Sequence, residues 1–172
     1  MTRAKQQFLM NQSGASATEF AMLLPVLLLL LLASMTAFDM IRTAQNVEKV
    51  TFTIGDMLSR DRQPLSATKL GNMLTLLRNS VPTSIDGGLR ISSIAMENDA
   101  FVVRWSRAVG NNVPNTPLDS SIFPEITNGD SVLLTESFVP HAAMVAGFGI
   151  SDVTFSSKAA YRPRFVSAIP FQ

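Results

Sequence analysis

Three places in the sequence carry residue types that could do chemistry. Ser66-Ala67-Thr68-Lys69 has the S-x-x-K spacing in which a lysine amine activates a serine hydroxyl to form an acyl-enzyme, but the S-D-N and K-T-G elements that accompany it in such enzymes are absent. Ser66 also stands where a helix needs a capping hydroxyl. His141, the chain's single histidine, lies beside Pro140 and reads as a loop residue. A lone imidazole with 0 Cys offers neither a metal set nor a thiol nucleophile. Glu19 stands directly before the uncharged run FAMLLPVLLLLLLASMTAF, residues 20–38. An acid in that position does electrostatics rather than bond making, and needs an ammonium or a helix N-terminus as its partner. Without a glycine-rich phosphate loop or a Ser/His/Asp set, the expectation is a non-enzyme with no catalytic residue, metal, cofactor or small-molecule substrate.

Composition narrows the remaining classes. A chain of 172 residues, 47% hydrophobic with 9 Gly and 9 Pro, fits one modest folded domain plus a membrane segment. Its 14 Lys+Arg nearly balance 13 Asp+Glu, so no broad basic face exists for nucleic acid. With no cysteine, disulfides and a lipoprotein anchor are excluded.

The elements that must position Glu19 begin with the apolar run. At about 1.5 Å per residue it spans about 28 Å, close to the ~30 Å of a hydrocarbon core, which predicts a transmembrane helix over 20–38. A cleaved secretory signal is the alternative, with Arg3 and Lys5 as its basic region. The exit Leu32-Ala33-Ser34-Met35-Thr36-Ala37 offers no clean small-x-small site, and Ala15-Ser16-Ala17 lies on the wrong side. Arg3 and Lys5 before the span nearly balance Arg42 and Lys49 after it, with the N-terminus placed on the cytoplasmic side. Pro25 frees the carbonyl of Ala21, predicting a bend there that is either a simple kink or a packing adaptation.

Helical periodicity continues beyond the apolar run. Ala37, Met40, Ala44, Val47, Thr51, Ile54 and Leu58 alternate steps of three and four, a seam that either packs on the chain's own domain or forms a coiled coil. Gly55 weakens its last turn by about 1 kcal/mol relative to alanine. The helix should end between Ser59 and Gln63, before Pro64. A second helix follows, capped by Ser66, with Leu65 and Leu70 at hydrophobic-staple positions and Leu70, Met73, Leu74 and Leu77 on one face. Pro82 and Gly87-Gly88 break the chain. Leu89 to Met96 and Ala100 to Arg107 read as a hairpin around Glu97-Asn98-Asp99, with Phe101, Val103 and Trp105 on one face. Residues 108–130 read as a long surface excursion, and Ser131 to Val139 and Ser151 to Tyr161 as two more strands. The fold class expected is α+β: a long N-terminal transmembrane and amphipathic helix, a short helix, and an antiparallel sheet of about four strands.

Gly14-Ala15-Ser16-Ala17-Thr18-Glu19-Phe20, behind a short basic leader and ahead of a leucine-rich span, resembles the class III signal of the type IV pilin superfamily. Glu19-Phe20-Ala21-Met22-Leu23-Leu24-Pro25 is similar to the TadE/TadF group, minor pseudopilins of tight-adherence (Tad, Flp) pili, and Phe38 to Arg60 and Val132 to Arg164 resemble such chains more loosely. The resemblance implies a pilin-like fold and cleavage by a prepilin peptidase between Gly14 and Ala15. It divides the chain into a leader 1–14, an N-terminal helix 15–60 and a periplasmic domain 61–172. It also implies assembly roles for Glu19, Phe20 and Pro25, with other pilins, pseudopilins and the assembly platform as partners, and a single-pass inner-membrane location. An unprocessed signal-anchored periplasmic adaptor and an envelope hydrolase are the competing functions. Electrostatics agrees with the implied cut. A carboxylate costs about 3 kcal/mol at a bilayer centre and less at the interface, and cleavage would place the Ala15 ammonium one turn before Glu19.

Overall fold

The computed structural model describes residues 13–142 and 152–172. Most of the expected leader, residues 1–12, and Ser151 of the last expected strand lie outside them. Helix α1 runs Ser13–Ser59 and α2 Ala67–Ser80. Strands β1 Gly88–Glu97, β2 Ala100–Gly110, β3 Ser131–His141 and β4 Val153–Tyr161 form one antiparallel sheet in the order β2-β1-β3-β4. The molecule is α+β, as its periodicities predict.

Helix α1 continues through Pro25 for 47 residues, and its two halves differ. From Phe20 to Leu32 the large apolar side chains are exposed on every side. From Thr36 onward one face is buried: Thr36, Thr43, Val47, Val50, Thr51, Ile54 and Leu58. The expected seam therefore holds from Val47, but Ala37 is exposed and Thr36 takes its place. Threonine suits that position because its hydroxyl donates to the Leu32 carbonyl at 2.9 Å, leaving a methyl for packing. The buried face lies on the chain's own domain, against β3, β4 and α2.

Two devices set how closely the rod approaches the sheet. At Gly55 a Cβ would stand 2.7 Å from Tyr161 Cδ2 and 3.5 Å from the Ala159 Cβ, so glycine is what lets α1 cross β4. One turn earlier the buried Thr51 hydroxyl bonds to the Ser137 hydroxyl of β3 and donates to the Val47 carbonyl at 2.7 Å. The helix ends at Ser59, whose carbonyl accepts the backbone N–H of Arg164 at 2.7 Å. Its last turn is also held by Asp56, which bonds Arg60 at 2.7 Å and Arg164 at 2.6 Å.

Ser66 caps α2, and Leu70, Leu74 and Leu77 join Val47, Val50, Ile54 and Leu58 in one core with Leu89, Ile91, Leu133 and Val139 of the sheet. Full burial of each such side chain is worth about 1.5–3 kcal/mol.

The β1–β2 hairpin turns through Asn98 and Asp99, both at positive φ (51° and 61°), the type I′ geometry that matches strand twist. A bulge then shifts the register: Ile94 pairs with Val103 but Ser93 with Trp105, leaving Arg104 as the extra residue. This corrects the single face expected for Phe101, Val103 and Trp105. Phe101 packs edge-to-face on Phe123 of the excursion, whereas Trp105 turns to the helix side, beside the core. The indole N–H of Trp105 donates to the Ile169 carbonyl at 2.9 Å, so the strand holds the C-terminal segment. That segment also pairs with Leu65, whose N–H donates to the Pro170 carbonyl at 2.8 Å.

The sheet is covered on its far side as well. Arg90 of β1 and Glu136 of β3 form a buried pair, Nε to Oε2 2.6 Å, on the face away from the helices. Arg90 Nη1 also donates to the carbonyls of Pro114 (3.1 Å) and Thr116 (2.9 Å), fastening the excursion across the sheet. The segment read as a surface loop is therefore a strap held by Arg90, whose Nε pairs with Glu136 and whose Nη1 donates to the strap carbonyls, while its buried Nη2 has no partner among the described residues.

Candidate functional site at the N-terminal helix

Gly14, Ala15, Glu19, Phe20 and Pro25 all lie in the first turns of α1. A Cβ built at Gly14 meets nothing within 4 Å, so packing here does not require glycine, although glycine costs a helix interior about 1 kcal/mol relative to alanine. Ala15 and Glu19 are four residues apart, one turn of the helix. The Glu19 side chain is exposed and pairs with none of the described residues. Phe20 is 60% exposed, and the leucines after Pro25 are bare around the whole circumference. The arrangement is a carboxylate at the head of an apolar cylinder, without a cleft. Among the described residues this is the one helix long and apolar enough to cross a membrane.

The other sequence candidates fall elsewhere. The Ser66 hydroxyl accepts the Lys69 backbone N–H at 3.3 Å, while the Lys69 ammonium bonds to Asp61. Ser66 is thus a helix cap, and its lysine is committed to a carboxylate rather than to the serine. His141 is not a loop residue. It ends β3, is 4% exposed, and places Nε2 at 3.1 Å from Asp39 Oδ2 of α1. Sequence reading missed this contact, although Asp39 is the first charge after the apolar run and His141 the only imidazole. No group of three His, Cys, Asp or Glu among the described residues is arranged to hold a metal ion. Among the described residues, an open surface cleft of about 430 Å³ lies beside His141, lined by Thr83, Asp86, Asp152 and Thr154 among others.

Among the described residues, a single apolar helix of membrane-crossing length, prolonged into an amphipathic stalk on which an α+β domain is built, is consistent with a membrane-anchored domain. The family model described as TadE-like protein matches residues 14–53. The match begins at Gly14, takes in Glu19, Phe20 and Pro25, and stops two residues before Gly55, so this segment of the chain is TadE-like and the sheet lies beyond the match. Neither a curated protein nor a solved structure matches the chain.

Proposed function

We propose that the protein is a minor pseudopilin of a tight-adherence pilus system, anchored in a bacterial inner membrane with the domain on the periplasmic side. A prepilin peptidase removes residues 1–14, residues 15–60 form the mature helix, and residues 61–172 form the domain. The observation that carries this reading is the TadE-like segment 14–53 coinciding with a helix that is apolar all round in its first half and committed to its own domain in its second. Gly14 supports it, being a glycine at a position where packing leaves room for any side chain.

In this reading Glu19 acts after cleavage. The Ala15 ammonium and the Glu19 carboxylate form a charge pair at an interface of low effective dielectric, either within one chain or between neighbouring subunits. Phe20 and the exposed leucines offer the apolar surface that other pilus helices or lipid would cover, and Pro25 leaves one carbonyl free for local adjustment.

The test is mass determination of the N-terminus together with pilus counts on the same strains. The wild type should begin at Ala15, and Gly14→Val should accumulate as the precursor. Glu19→Gln should be processed at close to the normal rate yet support few or no pili, since it keeps size but loses charge. An intact leader in the wild type identifies an unprocessed signal-anchored adaptor instead, and normal piliation by Glu19→Gln overturns the charge pair.

A further inference from the structure

We infer that the turn between α2 and β1, residues 81–87, rests on the lipid surface and sets Ile85 among zwitterionic headgroups where the apolar half of α1 leaves the bilayer. The inference rests on the reading of residues 20–38 as a membrane span. Ile85 is 73% exposed, more than any other large apolar side chain among the described residues outside that run. One exposed isoleucine is ordinary on a protein surface, and it is the position that sets this one apart.

Helix α2 runs back along α1 toward the apolar half, and its last residue, Ser80, lines a cleft with Asn46 and Lys49. The turn then leads into β1, whose first residue pairs with Phe138, and Thr83 and Asp86 line a cleft with His141, which stands 3.1 Å from Asp39. Ile85 therefore lies between the levels of Asp39 and Asn46. At 1.5 Å per residue those levels are about 2 Å and about 12 Å beyond Phe38, the end of the apolar run. The headgroup layer outside the hydrocarbon is about 5–7 Å deep, so the turn meets it. The uncovered side of α1 is apolar at the same height, where Ile41 is exposed although it follows Asp39, the first charge after the run. Residues 143–151, which join β3 to β4 at this end, read AMVAGFGIS and contain no charged residue.

The turn is built to hold its side chain outward. The Ser84 N–H donates to the Val81 carbonyl at 2.9 Å and the Gly87 N–H to the Ser84 carbonyl at 2.8 Å, while the buried Ser84 hydroxyl donates back to the Leu77 carbonyl at 3.3 Å. Asn112 Nδ2 fixes the Asp86 carbonyl at 2.9 Å. Ordering Ile85 at a surface thus costs little backbone freedom. The charges select the lipid: Asp39, Asp86 and Asp152 face this end against Arg42, so anionic headgroups are repelled where a basic segment would attract them.

The chain has 0 Cys, so single cysteines report cleanly. The experiment places the full chain in phosphatidylcholine nanodiscs, labels Ile85→Cys, Leu28→Cys or Phe165→Cys with an environment-sensitive fluorophore, and adds lipid spin-labelled either high on its acyl chain or at the chain end. Ile85→Cys should be quenched about twofold or more by the shallow label, as for an apolar group seated at the headgroup boundary. Phe165→Cys should not be quenched, although Phe165 is also exposed, because it follows Arg164, whose N–H bonds the Ser59 carbonyl at the far end of α1. Exchanging about half the lipid for phosphatidylglycerol at low salt should weaken the Ile85 signal. Leu28→Cys reads the span itself through the deep label. No quenching there removes both the span and the inference, whereas a quenched Leu28 beside an unquenched Ile85 overturns the inference alone, the result that cover by a protein partner or a second copy would give. A signal at Ile85 that strengthens in phosphatidylglycerol overturns the assignment to zwitterionic lipid.

Discussion

The two halves of α1 are one continuous helix with opposite uses of apolar residues. Between Phe20 and Leu32 the side chains are oily on all sides, with Met22 80% exposed and Leu30 66%. Between Val47 and Leu58 the buried residues fall on one stripe, and Glu48, Lys49 and Thr53 stay in solvent. Propensity does not distinguish the halves, since leucine and valine serve both. What differs is the period of the pattern: an all-round apolar helix needs a surrounding apolar medium, whereas a stripe needs one partner surface. The first half is thus written for lipid or other helices, and the second for the sheet and α2. The domain's stability should accordingly depend on one half alone.

Leucine truncation on either side of that boundary gives the largest expected effect. Leu77 of α2, with no exposure, packs in the core shared with the second half of α1. Leu77→Ala should lower domain stability by about 2–5 kcal/mol. Leu28, 49% exposed in the first half, should change it by no more than about 0.5 kcal/mol when replaced by alanine. Thermal unfolding of the full chain in micelles, followed by the fluorescence of Trp105, reads both. A comparable loss from Leu28→Ala would mean that the apolar half also packs on the domain.

A smaller effect tests how the second half is seated. Gly55→Val should cost about 1–3 kcal/mol, because a Cβ there stands 2.7 Å from the Tyr161 ring. The loss should shrink in a Tyr161→Ala background, giving a coupling between the two sites in a double-mutant cycle. If the two losses simply add, the close approach at Gly55 is not what the glycine serves.

Much of this division was legible in the sequence, because hydrophobic period reports environment directly. The 20–38 run, the seam from Val47 to Leu58, the Ser66 cap and the alternation Val153, Phe155, Ser157, Ala159, Tyr161 all follow from side-chain spacing. What escaped depends on contacts between distant residues. The bulge at Arg104 adds one residue without any compositional mark, and so turns Trp105 to the opposite face from Val103. The Arg90–Glu136 pair joins residues 46 apart, so nothing local announces that 111–118 will be strapped over the sheet. His141 beside Pro140 looks like a turn until strand pairing carries it to Asp39. For the candidate site, Glu19 and Pro25 stood out by charge and backbone chemistry against the apolar run, whereas Gly14 was found only through motif resemblance, and the bare helix surface around it adds no cleft that would have identified it independently.

The strap offers the smallest effect and a contrast with the helix-facing side, where the Thr51 and Ser137 hydroxyls join without any charge. Asp119 caps the short 3-10 turn Ser120–Ile122 and has its pKa lowered from 3.8 to about 2. The causes are, first, the Ser121 hydroxyl bonded at 2.6 Å, then the Ser121 backbone N–H at 3.0 Å, then Lys158 at 3.2 Å. A carboxylate lowered in the folded state contributes stability that is fully present above its unfolded value near 3.8 and is lost as pH falls through about 2. Acid should therefore loosen this turn only at the bottom of the pH range. Because Asp119 is solvent-accessible, the loss should be local rather than a step in global unfolding. The backbone amide resonance of Ser121, followed by NMR from pH 5 to 1.5, should titrate with a midpoint near 2, and Asp119→Asn should remove the transition while leaving the Trp105 melting curve unchanged. A midpoint near 3.8 would show that the Ser121 and Lys158 contacts do not hold Asp119 in solution.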